Sequence, residues 1–189
     1  MNTSDIERIL RGDRSAGRIF KGVHSMDSMA RQEFAAGADA LYVFNSKPRA
    51  SPGEHWMALG TRDGCAYYFD SFGRHPAVYA ALARRLSETF PLVYWNRYAF
   101  QSLTTTACGD YCLAFTLSFA RGHTLQQYVD WLAGLGSPDA RDHLLRAITV
   151  AKFGQGALSS YRSFRPGLRG VQRLHIACMT RLLGDDCQM

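Results

Sequence analysis

No stretch of this sequence approaches the roughly 18 to 20 consecutive apolar residues that a helical membrane span needs. The polar opening Met1-Asn2-Thr3-Ser4-Asp5 lacks the basic region and apolar stretch of a secretory signal. A membrane-spanning or classically secreted protein is therefore not expected. Cysteine is scarce: Cys65, Cys108, Cys112, Cys178 and Cys187 are an odd number without the dense spacing of a disulfide scaffold. The chain is also long enough to bury a core without such staples, so a reducing compartment fits best. Cys108 and Cys112 form C-x3-C rather than C-x2-C, and no Cys/His cluster follows at zinc spacing, which speaks against a metal site. Proline is limited to 6 and glycine to 17 of 189 residues, with 47% hydrophobic and 20% charged. That is ordinary globular composition, and the length suits one compact domain over residues 1–189.

What the chain has is an uneven positive charge. The formal net charge is +6. Residues 1–140 carry 14 Lys and Arg against 13 Asp and Glu, whereas residues 141–189 carry 8 against 3. A basic part over 141–189 suggests contact with a polyanion, nucleic acid in particular, although charge alone slightly favours a solvated basic helix face.

Apolar patterning interleaves strands and helices. Ser4-Asp5-Ile6-Glu7 has the form of a capping box ahead of Ile6, Ile9 and Leu10, which predicts a helix over 4–11. Residues 12–37 read as irregular, with a short helix near Met26 to Phe34. Leu41 to Phe44 reads as a buried strand. His55 to Leu59 and Cys65 to Phe69 form a hairpin around a loop Gly60-Thr61-Arg62-Asp63-Gly64. Pro76 to Glu88 predicts a helix and Leu92 to Trp95 a further strand. Cys108, Cys112, Phe115 and Phe119 fall on one stripe of a central helix that Gly122 ends. Thr124-x-x-Gln127 caps a helix to Ala133, Ser137-Pro138-Asp139 starts one to Ala151, and Val171 to Leu183 makes a last one. The fold class is α+β: a mixed, mainly antiparallel central sheet of about four to six strands flanked by helices, with the Cys108 helix packed on it.

Four residues suggest chemistry. Cys108 stands at a helix start, where the helix dipole favours thiolate. The small residues around it would let a substrate backbone approach. Taken alone, such a cysteine is more often a buried small hydrophobe. His55 begins one hairpin strand and Asp70 ends the other, so antiparallel pairing brings an imidazole and a carboxylate to the same sheet edge. Asp70 would then orient a His55 that accepts the thiol proton. Gln101 lies in the loop leading into the Cys108 helix, where a side-chain amide could stabilise an oxyanion. Trp56 would face away from His55, Cys112 would pack, Gly73 would turn, and His24, His75, His123, His143 and His175 read as structural or solvent-facing.

The phrases His55-Trp56-Met57-Ala58, Tyr67-Tyr68-Phe69-Asp70-Ser71-Phe72-Gly73, Gln101 and Ala107-Cys108-Gly109-Asp110-Tyr111-Cys112 resemble the cysteine proteases that include the adenovirus maturation protease and the SUMO-specific proteases. The order His, Asp, Gln, Cys is that family's order. The seven-residue spacing from Gln101 to Cys108 and the HWMA and FDSFG phrases look more like the adenovirus enzyme, although Asp70 stands where it has Glu. The resemblance covers about Leu41 to Phe119, a catalytic core over 41–119. It implies Cys108 as nucleophile, His55 as general base and acid, Asp70 as orienter and Gln101 as oxyanion donor.

The resemblance implies a viral or virus-derived cysteine endopeptidase that cleaves precursor and capsid proteins at Gly-containing sites during virion maturation. Such an enzyme would act as a monomer, in the virion and the host nucleus or cytoplasm, and would need no cofactor for its chemistry. The adenovirus enzyme uses DNA and a peptide activator. DNA binding through the basic part is compatible with this chain, but covalent activation is not expected, because 91–98 contains no cysteine. A deconjugase that removes ubiquitin or SUMO is the alternative reading. Acyl transfer through Cys108 from coenzyme A, and a non-enzymatic capsid or nucleic-acid-binding role, are weaker ones.

Overall fold

The computed structural model describes residues 1–154. The expected basic helix over Val171 to Leu183 and most of the basic part over 141–189 lie outside them. The chain opens with α1 (Thr3–Gly12) and the short α2 (Ala16–Ile19), then β1 (Phe20–His24), α3 (Met26–Met29), β2 (Ala40–Asn45), β3 (Trp56–Arg62) and β4 (Cys65–Asp70). A 3-10 turn at Pro76–Val78 precedes α4 (Ala80–Thr89) and β5 (Leu92–Trp95), and α5 (Cys108–Ala120), α6 (Leu125–Ala133) and α7 (Pro138–Phe153) follow. No described helix is long and apolar enough to cross a membrane.

The five strands form one mixed sheet in the order β1-β2-β3-β4-β5. β2, β3 and β4 run antiparallel to one another, and β1 and β5 add in parallel at the two edges. Side chains alternate between faces along a strand, so each face has its own core. Leu41, Val43, Ala58 and Phe69 face α1, α5, α6 and α7. Tyr42, Phe44, Met57, Leu59 and Tyr68 face the opposite way and are covered by Met29, Leu82, Leu86 and Phe90. Because both faces are covered, the strands are apolar on both sides.

Several local features differ from the sequence reading. The cap of α1 is Asn2, whose side chain accepts from Asp5 N at 2.9 Å while Asp5 Oδ2 accepts from Asn2 N at 3.3 Å. Ser4 lies inside the helix, and Glu7 serves elsewhere, accepting from Val23 N at 2.9 Å and Arg11 Nε at 2.7 Å. Within the stretch read as irregular lies β1, a short strand containing Gly22 and Lys21 whose partner is far off in sequence, so that no local pattern marks it. The helix placed near Met26 to Phe34 is a single turn, α3.

The hairpin loop is also shorter than its two glycines suggest. Only Asp63 (φ 51°) and Gly64 (φ 73°) turn the chain, the two-residue left-handed geometry that suits the twist of antiparallel strands. Gly60 is a mid-strand residue paired with Leu41 and Tyr67. A Cβ on it would sit 2.8 Å from the Phe119 ring, so Gly60 is what lets α5 lie against β3. Pro76 to Glu88 breaks at Tyr79 into a 3-10 turn and α4. The central helix α5 is buried on every side, with no exposed face from Cys108 to Phe119, and it ends at Gly122 (φ 92°).

Candidate active site

The end of the sheet where β3 begins and β4 finishes meets the first turn of α5. His55 immediately precedes β3, and Asp70 is the last residue of β4, paired across the hairpin with Met57. Two residues of offset keep His55 on the same face as Met57 and Asp70, and His55 Nε2 lies 2.7 Å from Asp70 Oδ1. Both are buried, His55 at 4% exposure and Asp70 at 0%. With Nε2 committed to Asp70, Nδ1 is the nitrogen left for another partner.

Cys108 is close enough to the imidazole to act on its proton affinity. Burial draws the His55 pKa down, but hydrogen bonds to Asp70 and to Cys108, with the charge of both, outweigh it and push His55 up to about 9. The imidazole is therefore protonated through neutral pH. Cys108 is the first residue of α5, and the cap position Ala107 offers no side-chain acceptor. The first amides of α5 are among the N–H groups that no intrahelical carbonyl can satisfy, at the positive end of the helix dipole.

Asp70 is held in place by its own surroundings. Oδ1 also accepts from Phe72 N at 2.8 Å. Asn96, buried just past β5, clamps the Asp70 backbone from both sides: its Oδ1 accepts from Asp70 N at 3.0 Å and its Nδ2 donates to Asp70 O at 2.6 Å. The Phe72 ring lies over the His55 imidazole with centroids 4.8 Å apart and planes inclined by 30°. The sequence reading missed Asn96 and assigned no role to Phe72. For Asn96 the only available signal is a polar amide directly after an apolar strand.

Gln101 is buried in the loop that leads to α5. Its Oε1 accepts from Ser71 Oγ at 2.7 Å, and its Nε2 donates to the Thr105 carbonyl at 2.9 Å, with the Thr105 hydroxyl 3.5 Å away. Ser71 directly follows Asp70, and its carbonyl accepts from Gln101 N at 3.1 Å. The Gln101 loop is therefore tied to the strand end that carries Asp70.

A cleft of about 680 Å³ opens beside the sulfur, with Met1, His24, Asn45, Trp56, Thr106 and Cys108 in its lining. Trp56 faces α5, as strand alternation requires, and is half-buried. It packs on the core and also walls the cleft, donating Nε1 to the Met1 carbonyl at 3.2 Å. Cys112, one turn below Cys108, is fully buried, and desolvation holds its thiol well above the usual range; it packs. Gly73 (φ 67°) turns the chain where a Cβ would come within 2.6 Å of the Tyr98 backbone. His24 lies in the cleft lining, packed on the Tyr42 ring with centroids 5.8 Å apart, while His75 caps the 3-10 turn by accepting from Ala77 N at 3.0 Å.

No family model matches the chain, and no curated protein matches it. Among solved structures it is similar to the ASFV pS273R protease, at 18% identity and a TM-score of 0.34, over 56% of this chain and 42% of that one. It is also similar to AvrA, solved as a deletion variant with IP6 and CoA, at 18% identity and a TM-score of 0.39, over 78% of this chain and 60% of that one. In both cases the chain spans less than two thirds of the other protein's length. Similarity this low assigns neither family nor activity. The residues of the site have to speak for themselves.

Proposed function

We propose that the protein is a cysteine hydrolase that cleaves peptide bonds in protein substrates, with Cys108 as nucleophile, His55 as acid and base, Asp70 as orienter and Gln101 as oxyanion donor. The observation that carries this reading is the buried His55–Asp70 hydrogen bond of 2.7 Å, beside the cysteine that heads α5 and contributes to the upward shift of the imidazole. A packing cysteine has no need of a buried imidazolium.

In the proposed reaction the Cys108 thiolate attacks the scissile carbonyl carbon, a C–S bond forms, and the carbonyl electron pair moves to oxygen. The Cys108 backbone N–H and the Gln101 side-chain amide receive that oxyanion. His55 gives its proton to the leaving amine as the C–N bond breaks, leaving a thioester on Cys108. Water then attacks the thioester with neutral His55 as base, which releases the acid and returns the imidazolium and thiolate.

At a finer level, the resemblance of the HWMA and FDSFG phrases supports an endopeptidase of the adenovirus maturation type, acting on viral precursor proteins at Gly-containing sites. DNA stimulation through the basic part is an element of that proposal.

Mass-spectrometric cleavage assays on the full chain and Cys108→Ala, using peptides with Gly-X and Gly-Gly sites beside ubiquitin and SUMO conjugates, with and without DNA, test the reading. Peptide cleavage that vanishes in the variant is expected. Selective cleavage of one conjugate would move the assignment to deconjugation, and cleavage that persists in Cys108→Ala would remove Cys108 from the chemistry.

A further inference from the structure

The loop that carries Gln101 is anchored from α7, an element outside the stretch that the sequence resemblance covers. Asp142, on α7, is 4% exposed. Its Oδ2 accepts from Ser102 N at 3.1 Å and from the Thr105 hydroxyl, and its Oδ1 accepts from the Tyr111 hydroxyl at 2.7 Å. Two of these donors lie in the loop, and Tyr111 lies one turn into the Cys108 helix. The neighbouring Arg141 donates Nη1 to the Phe100 carbonyl at 3.0 Å, and its guanidinium lies 5.3 Å from the centre of the Phe100 ring. Adjacent residues of α7 thus grip both ends of the segment 100–105.

The grip continues into the candidate site. Thr105, held through its hydroxyl by Asp142, presents its carbonyl to Gln101 Nε2 at 2.9 Å, while Ser71 Oγ fixes Gln101 Oε1 at 2.7 Å. An amide whose oxygen and nitrogen are both committed has a single orientation, and the donation from Nε2 goes to Thr105, at the carbonyl and more weakly at the hydroxyl. A buried carboxylate that accepts three hydrogen bonds holds its partners more firmly than a neutral group would. Burial, with the hydrogen bond and charge of Asp142 behind it, pushes the Tyr111 phenol up, so Tyr111 stays a donor.

We propose that Asp142 is a positioning residue for the reaction at Cys108: it holds Thr105, and through the Thr105 carbonyl the Gln101 amide, in the orientation that meets the oxyanion. This rests on the hydrolase reading above. Asp142 itself touches neither nucleophile nor substrate. Replacing it with Asn would set an amide N–H2 or a weaker acceptor against three donors, so the loop would lose its register while His55 kept its hydrogen bond to Asp70, which Asp142 does not touch.

Two chemistries at the same sulfur separate these effects. Alkylation of Cys108 by iodoacetamide forms no oxyanion and reads the thiolate alone, whereas acylation by 4-nitrophenyl acetate passes through one. Both are followed by intact mass and peptide mapping on the full chain, Asp142→Asn, Thr105→Val, Gln101→Ala and the Gln101→Ala/Asp142→Asn double variant. Asp142→Asn and Thr105→Val should slow acylation by about tenfold or more, the order of an oxyanion donor's contribution. Alkylation should stay within about twofold of wild type, since no thiolate-stabilising group is touched. The double variant should acylate no more slowly than Gln101→Ala, because residues acting as one unit are not additive.

Wild-type acylation rates in Asp142→Asn and Thr105→Val, or a parallel fall in alkylation, would overturn the positioning role alone. Should Asp142→Asn not fold, Thr105→Val decides. No acylation of Cys108 in the wild type would overturn the hydrolase reading and this inference with it.

Discussion

His55 and Asp70 are hydrogen-bonded at 2.7 Å without being opposite each other in the hairpin. Asp70 pairs with Met57, two residues along from His55. The contact is diagonal, made by two side chains on one face at the point where β3 has not yet begun and β4 has just ended.

The first prediction concerns this pair. Asp70→Asn keeps the shape but offers His55 a neutral partner and removes the carboxylate that favours imidazolium. Peptide cleavage should fall by about 10⁴-fold in kcat, the order seen when the orienting Asp of a Ser-His-Asp triad becomes Asn. NMR of the imidazole should show the His55 pKa lowered. A variant that cleaves at the wild-type rate would show that Asp70 has no part in the chemistry.

A second prediction follows from the direction of the His55 shift. Its pKa is raised from 6.5 to about 9 in the folded protein. A raised folded-state value contributes stability that is fully present below pH 6.5 and is lost as pH rises through about 9. Denaturant unfolding across this window should show the wild type losing stability relative to His55→Gln, with the two profiles parallel on the acid side. Cys108→Ala should lower the His55 pKa, since Cys108 supplies part of the shift. An unchanged titration in that variant would mean that the sulfur and the imidazole do not interact.

The third prediction tests how the helix is seated. Gly60→Ala places a methyl 2.8 Å from the Phe119 ring, so α5 or the ring must shift. The variant should lose about 1 to 3 kcal/mol by chemical denaturation, the usual range for overpacking. Adding Phe119→Leu should recover part of that loss. If Gly60→Ala is as stable as wild type, the close approach of β3 and α5 is not what fixes glycine at this position.

Much of the site was legible from order and spacing. His55, Asp70 and Cys108 meet because a tight hairpin brings its two ends together and a helix start follows, and both are local facts written in short stretches of sequence. The capping box at Thr124 and Gln127 and the turn at Gly73 were readable for the same reason. The strand β1 was not, because its pairing partner is distant and its own residues carry no alternation. Gly60 was misread as a loop residue, since a glycine that admits a ring from another element looks in sequence like one that turns the chain.

The sequence by itself determined an α+β chain with a buried central helix headed by Cys108, and named His55 and Asp70 as the residues a hairpin would bring to it. Only the tertiary structure decided that Asn96 clamps the Asp70 backbone, that Trp56 both packs and walls the cleft, and that Asp142 reaches the Gln101 loop from α7. These contacts join residues 26 to 55 positions apart. Their partners are ordinary polar and aromatic side chains whose hydrogen bonds exist only after distant elements have packed, and no periodicity along the chain records them.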